Sequence, residues 1–187
     1  MDIARVINLV LVALQVRGLM LSGVSERRWM LFAFYTQLSN LLAGAASLLL
    51  VVLGQPAWIT VLRYLSVCML VMTALVTVCV LVPMGGGFDN LMLSGNGIYH
   101  HVVIPVLSTL SYVFLEAHAP SWTLVLPVVV TLVYGLVLLW LNWRGVVDGP
   151  YPFFRVREQS PTATVLWVVV LLLAIAGIAA GVQFVAA

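Results

Sequence analysis

The chain has 187 residues, of which 64% are hydrophobic and only 7% are charged, and its mean hydropathy is +1.18. A soluble domain carries about 25% charged residues, so this composition excludes a water-soluble fold and predicts a chain whose solvent is lipid. The net charge of +2 comes from a few scattered arginines, which argues against nucleic acid as a partner.

Six apolar runs are long enough to cross a hydrocarbon core, which takes about 20 residues. They cover residues 3–22, 30–53, 58–83, 98–116, 122–143 and 163–187. Backbone that faces lipid must satisfy its own hydrogen bonds, so each run is predicted to be a helix. The sequence therefore predicts an all-α fold, a six-helix transmembrane bundle that forms a single domain.

The arginines predict how this bundle is oriented. Most of them fall in the first and fifth loops, namely Arg27, Arg28, Arg144, Arg155 and Arg157. The opposite side holds only Arg5 and Arg63. By the positive-inside rule, the odd-numbered loops are cytoplasmic and both termini lie outside. We expect an integral, multipass protein of a plasma membrane.

The second helix carries a stripe of small and polar residues. Thr36, Asn40, Ala43 and Ser47 follow the spacing i, i+4, i+7, i+11, which places them on one helical face. One interpretation is close helix packing through small side chains. The other is that the stripe lines a pocket.

The fourth helix opens with two adjacent histidines, His100 and His101. On a helical wheel, His101 shares a face with Ser108 and Tyr112, whereas His100 lies about 100° away. The wheel therefore favours His101 for the interior. The pair could simply bond loop backbone at the interface, but an ionisable group inside a membrane is also a candidate functional residue.

An ion pair is predicted between the third and fourth helices. Arg63 lies near the start of the third helix, and Glu116 closes the fourth on the same side of the membrane. A buried arginine needs a partner. We interpret the two residues as a structural pair.

Crossing directions place Thr36, His101, Thr77 and Arg17 in one leaflet. A threonine hydroxyl becomes a nucleophile only beside a general base, and neutral imidazole is the usual one. Ser39, Asn40 or a backbone N–H could stabilise the oxyanion. Thr77 and Ser108 are further candidates for the polar lining of the pocket. Adjacent histidines point to different helix faces and make a poor metal site, so no metal or other cofactor is predicted.

Several short segments, in this order and spacing, resemble the androgen-induced/ADTRP family of six-helix membrane proteins and its prokaryotic relatives. They are Tyr35-Thr36-Gln37-Leu38-Ser39-Asn40, Arg63, Asn96 with His100-His101 and Pro105, and Tyr151-Pro152-Phe153. The resemblance covers nearly the whole chain. It implies a threonine hydrolase that cleaves fatty acid esters of hydroxy fatty acids, with membrane lipids as substrates, and the likeness to the prokaryotic relatives implies a prokaryotic plasma membrane. Thr36 would be the nucleophile, and His101, or alternatively His100, its partner.

Two further expectations follow from these interpretations. The free carboxylate of an acidic lipid ester needs a cation, which Arg17, Arg27 or Arg28 could supply. The alternative function is non-catalytic: a transporter, a lipid-binding module or an assembly partner, in which the same side chains are packing or ligand contacts. The sequence does not indicate an oligomeric state.

Overall fold

The computed structural model describes residues 2–22 and 32–186. This part of the chain forms helices and no strand, and six of the helices are long and apolar enough to cross a membrane. The predicted all-α, six-helix fold is therefore confirmed. The helices are α1 (Ile3–Leu21), α2 (Tyr35–Leu53), α3 (Ala57–Val76), α4 (Ile104–Leu115), α5 (Val125–Trp143) and α6 (Pro161–Ala186).

Short helical segments of other types extend three of these helices. α3 continues as π-helix through Thr77–Gly86, and α4 is preceded by the π-helix Ile98–Val103. The 3₁₀ turn Ser121–Leu124 leads into α5. The spans lie close to the predicted runs, except that the third helix extends to Gly86. Residues 30, 31 and 187, which were predicted to be helical, lie outside the described part of the chain.

Local sequence accounts for the main helix boundaries. The Asp2 side chain caps α1 by accepting a hydrogen bond of 2.8 Å from the backbone N–H of Arg5. Gly54 ends α2 with a φ of 79°, a left-handed conformation that glycine adopts without strain. Pro83 lacks a backbone donor and lies where the third helix departs from α-helical winding. Gly85, with a φ of 101°, then breaks the helix.

The six helices form an antiparallel bundle with α3 at its centre, since α3 packs against α2, α4, α5 and α6. α1 packs against α2 and α4, and α5 packs against α6. We call the end of the bundle where α1, α3 and α5 finish the upper end. The opposite end, which carries both termini, is the lower end.

The helices α1 to α4 meet in one apolar layer at mid-height, which we call the central layer. Each helix contributes one fully buried apolar side chain to this layer, and these are Leu11, Ala43, Leu70 and Ile104. A larger apolar core joins α2–α6 and continues into a cluster of aromatic side chains at the upper end. The buried polar side chains lie above the central layer, below it, or beside the aromatic cluster.

Candidate functional site in the upper half of the bundle

Thr36 lies in the first turn of α2 and lines a pocket in the upper half of the bundle. The other walls come from α3 with its π-helical extension, from α5, from α6, and from the segment 151–154, which we call the aromatic loop. The cavity volume is about 60 Å³, enough for a few water molecules, and widens to about 640 Å³ when its open mouth is included. The lining residue Leu136 is 54% exposed, so the pocket reaches the outer surface of α5.

Four threonines line this pocket, and the hydroxyls of three of them are held by short hydrogen bonds. Thr73 Oγ1 donates to the Met69 carbonyl at 3.0 Å, and Thr77 Oγ1 donates to the Thr73 carbonyl at 2.8 Å. Thr131 Oγ1 lies 2.8 Å from the hydroxyl of Tyr35. Thr36 Oγ1 differs, because its one hydrogen-bonding contact to the described residues is with the Tyr151 hydroxyl at 3.5 Å.

Tyr151 closes the pocket above Thr36. Its side chain is only 7% exposed, and its ring stacks on Phe153 with the centroids 5.2 Å apart. Its hydroxyl also accepts from the backbone N–H of Thr36 at 3.5 Å. Burial raises the pKa of the Tyr151 phenol above its ordinary value of 10. The phenol is therefore a neutral hydrogen-bond donor, not a base, near neutral pH.

Neither histidine lines the Thr36 pocket, and no hydrogen bond joins Thr36 to an imidazole in residues 2–22 and 32–186. His101 Nδ1 lies 2.6 Å from the carbonyl of Leu91 in the connection between α3 and α4. A carbonyl only accepts hydrogen bonds, so Nδ1 must carry the proton. In the neutral ring, Nε2 is then the acceptor, which is the form that a general base requires.

His100 is the more deeply buried imidazole, at 1% exposure, whereas His101 is half-buried. This reverses the order predicted from the helical wheel. The wheel assumed 3.6 residues per turn, but Ile98–Val103 is wound as a π-helix, which turns each side chain to a different direction. The Nε2 atom of His100 has no hydrogen-bond partner among the described residues, and its ring packs against Gly18 of α1.

His100 belongs to a set of polar side chains one turn above the central layer, which we call the upper layer. Gln15 follows Leu11 by four residues, Asn40 precedes Ala43 by three, and His100 precedes Ile104 by four. Both polar atoms of the Gln15 side chain and the Asn40 Oδ1 are buried without a partner in the described part of the chain. The same layer thus holds four unpartnered polar atoms from three helices.

The fourth member of the upper layer, Thr73, connects it to the Thr36 pocket. Thr73 follows Leu70 by three residues and also lines the pocket. Its hydroxyl lies 3.0 Å from the Ser39 hydroxyl, which itself donates to the Thr36 carbonyl at 3.0 Å. Asn40 Nδ2 donates to the same carbonyl at 2.8 Å. Ser39 and Asn40, predicted as oxyanion donors, thus bond the backbone of Thr36 and do not line its pocket.

Below the central layer, the predicted pair of Arg63 and Glu116 is present. The guanidinium donates two hydrogen bonds to the carboxylate, at 2.8 and 2.9 Å, and both side chains are at most 1% exposed. Arg63 also donates to the hydroxyls of Ser47 and Ser108, at 3.1 and 3.2 Å. We call this group, together with Asn8 and Ser111, the lower network.

The carboxylate of Glu116, which follows the last residue of α4, is equally well bonded. Asn8 Nδ2 and Ser111 Oγ donate to it at 2.9 and 2.7 Å. Burial alone would raise the pKa of Glu116, but the Arg63 guanidinium and these two donors outweigh burial and hold the pKa below its ordinary value of 4.5. Glu116 is therefore ionised in the fold.

The remaining predicted site residues are distributed as follows. Thr77 is buried and lines the Thr36 pocket. Ser108 does not, because its hydroxyl belongs to the lower network, at the other end of the bundle. Arg17 is exposed on α1, which contributes no lining residue to the pocket. Arg27 and Arg28 lie outside the described residues.

Sequence reasoning gave no role to Gln15 or to the Tyr151 hydroxyl. A signal existed for Gln15, because it is an amide within an otherwise apolar span, four residues before Leu19 and four after Leu11. Thr36 and Tyr151 are 115 residues apart in the chain, and no signal in the sequence could place one over the other. Within residues 2–22 and 32–186, no three His, Cys, Asp or Glu side chains lie close enough to hold a metal ion.

No family model, no curated protein and no solved structure matches this chain. The resemblance to the androgen-induced/ADTRP family therefore depends on the sequence motifs alone, and the activity that it implies is a proposal.

Proposed function

We propose that this protein is an intramembrane hydrolase of lipid esters, with Thr36 as the nucleophile. One observation carries the proposal: Thr36 is the pocket threonine whose hydroxyl is not held by a short hydrogen bond. A hydroxyl that donates to its own helix has its proton engaged and its oxygen fixed against the backbone. Thr36 instead lines a mostly apolar pocket, and its hydroxyl has only the 3.5 Å contact with Tyr151.

The substrate class follows from the lining and the position of the pocket. Apolar side chains of α3, α5 and α6 suit acyl chains, and the exposure of Leu136 allows a lipid to enter sideways from the bilayer. The cavity of about 60 Å³ holds little more than an ester group. We therefore expect the acyl chains to extend through the mouth. Fatty acid esters of hydroxy fatty acids are the first substrates to try.

The proposal needs a base that removes the Thr36 proton. His101 is the first candidate, because the carbonyl of Leu91 fixes its tautomer with Nε2 as the acceptor. His100 is the second, because its Nε2 is buried and unpartnered among the described residues. Either ring would have to reach Thr36 through a bridging water or through a rewinding of Ile98–Val103, since catalytic hydrogen bonds often form only in the substrate complex.

The test is turnover of defined lipid esters by the full chain in lipid nanodiscs, together with labelling by a fluorophosphonate. Thr36→Ala should abolish both, and Thr36→Ser should retain part of each. Thr109→Ala is the matched control, since Thr109 is a span threonine whose hydroxyl donates to its own helix at 2.7 Å and does not line the pocket. Turnover that survives Thr36→Ala would refute the proposal.

The same assay identifies the base. His101→Gln and His100→Gln are compared with His118→Gln, which changes an exposed histidine at the lower end. Loss of a general base typically costs about 10²- to 10⁴-fold in rate. We expect one of the first two variants to show that loss and the third to show none. Equal activity in all three would leave Thr36 without an imidazole partner and contradict the mechanism.

A second candidate function is favoured by the upper layer. Gln15, Asn40 and His100 present unpartnered donors and acceptors in the interior of α1–α4, which is what a binding site for a small polar ligand requires. In that case the protein binds or transports such a ligand and does not hydrolyse esters. Wild-type protein without ester turnover or fluorophosphonate labelling, but with ligand binding that Gln15→Leu abolishes, would favour this function over the first.

A further inference from the structure

The backbone N–H of Thr36 is available at the start of α2. The helix begins at Tyr35, and the first amides of a helix have no acceptor within it. Phe34, the capping residue, offers no side-chain acceptor. The Thr36 amide therefore points out of the helix, and its contact is the oxygen of the Tyr151 hydroxyl at 3.5 Å.

The Tyr151 hydroxyl is held at this position by its ring. The ring is stacked on Phe153, with an interplanar angle of 8°, and meets the edge of Phe34 at a centroid distance of 6.0 Å. The hydroxyl is equally far, 3.5 Å, from the amide nitrogen and from the Oγ1 of Thr36. A neutral phenol donor and a backbone amide thus flank the nucleophilic oxygen within the pocket.

We propose that the Thr36 N–H and the Tyr151 O–H together form the oxyanion hole of this site, which makes Tyr151 a catalytic residue. The inference rests on the proposed hydrolase function. It replaces Ser39 and Asn40, whose side chains are engaged with the Thr36 carbonyl. The positive end of the α2 dipole lies at the same point and favours negative charge there.

The Tyr151 hydroxyl contacts Thr36 only weakly. A contact of 3.5 Å is long for a hydrogen bond, so little is lost when a substrate oxygen separates the two groups. Two donors that each lie about 2.7–3.1 Å from one oxygen are roughly 4.5 Å apart. A substrate oxygen would therefore require Tyr151 to withdraw by about 1 Å, a shift of the kind that occurs when catalytic hydrogen bonds form on substrate binding.

In the first half of the reaction, the acyl group of the ester passes from its alcohol oxygen to Thr36 Oγ1. Thr36 Oγ1 adds to the carbonyl carbon of the ester while its proton passes to the imidazole base. The π pair of the carbonyl moves onto the carbonyl oxygen, which accepts hydrogen bonds from both donors without taking a proton from either. When the pair returns, the bond from carbon to the alcohol oxygen breaks, and that oxygen takes the proton from the imidazole. The acyl group stays on Thr36 Oγ1 until a water molecule, which gives a proton to the same imidazole, adds to its carbonyl carbon and releases the carboxylic acid, while Thr36 Oγ1 takes that proton back.

The test is steady-state turnover of Tyr151→Phe in lipid nanodiscs. The change keeps the ring and its stacking but removes one donor, so kcat should fall about 100-fold while KM stays within about threefold. Tyr64→Phe is the matched control, because it also removes a buried phenol hydroxyl, one that donates to the Ala179 carbonyl at 2.9 Å away from the pocket. Its kcat should stay within about threefold of wild type.

A second variant tests the same inference without removing the hydroxyl of residue 151. If Tyr151→Phe does not fold, fluorinated tyrosine is incorporated at position 151, where it keeps both ring and hydroxyl. The rate should then change with the acidity of the phenol while the hydroxyl stays protonated; a constant rate would contradict the inference.

The outcomes separate the two proposals. Wild-type turnover that requires Thr36 but is unchanged in Tyr151→Phe would overturn the oxyanion hole and leave the hydrolase intact. Turnover that does not require Thr36, or no turnover of any lipid ester, would overturn both.

Discussion

The upper layer lies one turn above the central layer and the lower network lies one to three turns below it, and they differ in how their polar atoms are bonded. In the lower network, every nitrogen of the Arg63 guanidinium donates to a described partner, and Glu116 receives four hydrogen bonds. In the upper layer, Gln15, Asn40 and His100 leave four buried atoms unpartnered among the described residues, whereas the lower network leaves one, the Asn8 Oδ1.

The contrast separates stabilising polar groups from candidate functional ones. A buried charge in a membrane is tolerated when it is fully paired, and the Arg63 guanidinium and the Glu116 carboxylate meet that condition. Unpartnered polar atoms in the interior lower stability, so their presence points to a role that folding alone does not explain. The upper layer adjoins the Thr36 pocket through Thr73, whereas the lower network does not reach that pocket.

The largest expected effect comes from breaking the charge pair. Glu116→Leu leaves the Arg63 guanidinium buried without its counter-charge, and the free energy of unfolding should fall by about 3–5 kcal/mol. Unfolding of the purified protein in mixed micelles measures it. The control is Glu158→Gln, which removes the exposed pair with Arg155 and should change the free energy by less than about 1 kcal/mol.

The double variant Arg63→Met, Glu116→Leu sharpens this result. Replacing a whole buried pair by apolar side chains is often neutral, so the double variant should be more stable than Glu116→Leu alone. A double variant as unstable as the single one would mean that the remaining polar members of the lower network, and not the isolated charge, cause the loss.

Acid should weaken the lower network through the same carboxylate. The pKa of Glu116 is lower in the fold than its ordinary value of 4.5, so folding favours the ionised form. Its contribution to stability is complete above about pH 4.5 and is lost as the pH falls through the folded pKa. Unfolding of the wild type between pH 6 and pH 3 should show this loss, and Glu116→Gln should show less of it.

A medium effect is expected where His100 meets α1. A methyl group on Gly18 would lie 2.5 Å from His100 Nε2, closer than atoms can approach, so the imidazole must move. Gly18→Ala should lower the free energy of unfolding by about 1–3 kcal/mol. Gly177→Ala, in open space on α6, is the matched control and should leave it unchanged or slightly higher. Equal stability of the two variants would show that His100 is loosely packed.

The smallest effect, and the one opposite in sign, is expected in the upper layer. Gln15→Leu removes an amide that has no partner among the described residues, so the free energy of unfolding should rise by about 1 kcal/mol. Asn8→Leu is the comparison, because Asn8 Nδ2 donates to Glu116 and its loss should be destabilising. A fall in stability for Gln15→Leu would mean that a bound ligand or water satisfies the amide.

Much of the fold was predictable from hydropathy. The spans, the helical class and the pairing of Arg63 with Glu116 follow from run lengths, from the cost of unpaired backbone in lipid and from the need of a buried charge for a partner. The convergence of Thr36 with a histidine was predicted from depth alone. The depth of a residue in the membrane does not determine the direction in which its side chain points around the helix axis. In the structure, Thr36 faces α5 and α6, whereas His100 packs against α1.

The amino-acid sequence was enough to predict six spans and the residues that share a height in them, because a bilayer imposes one length and one solvent on every span. Which side chains of equal height meet followed only from the packing of the helices. That outcome depends on how each helix is rotated about its axis. Packing between elements far apart in the chain sets two further features, namely the π-helical winding of Ile98–Val103 and the position of the aromatic loop over the start of α2.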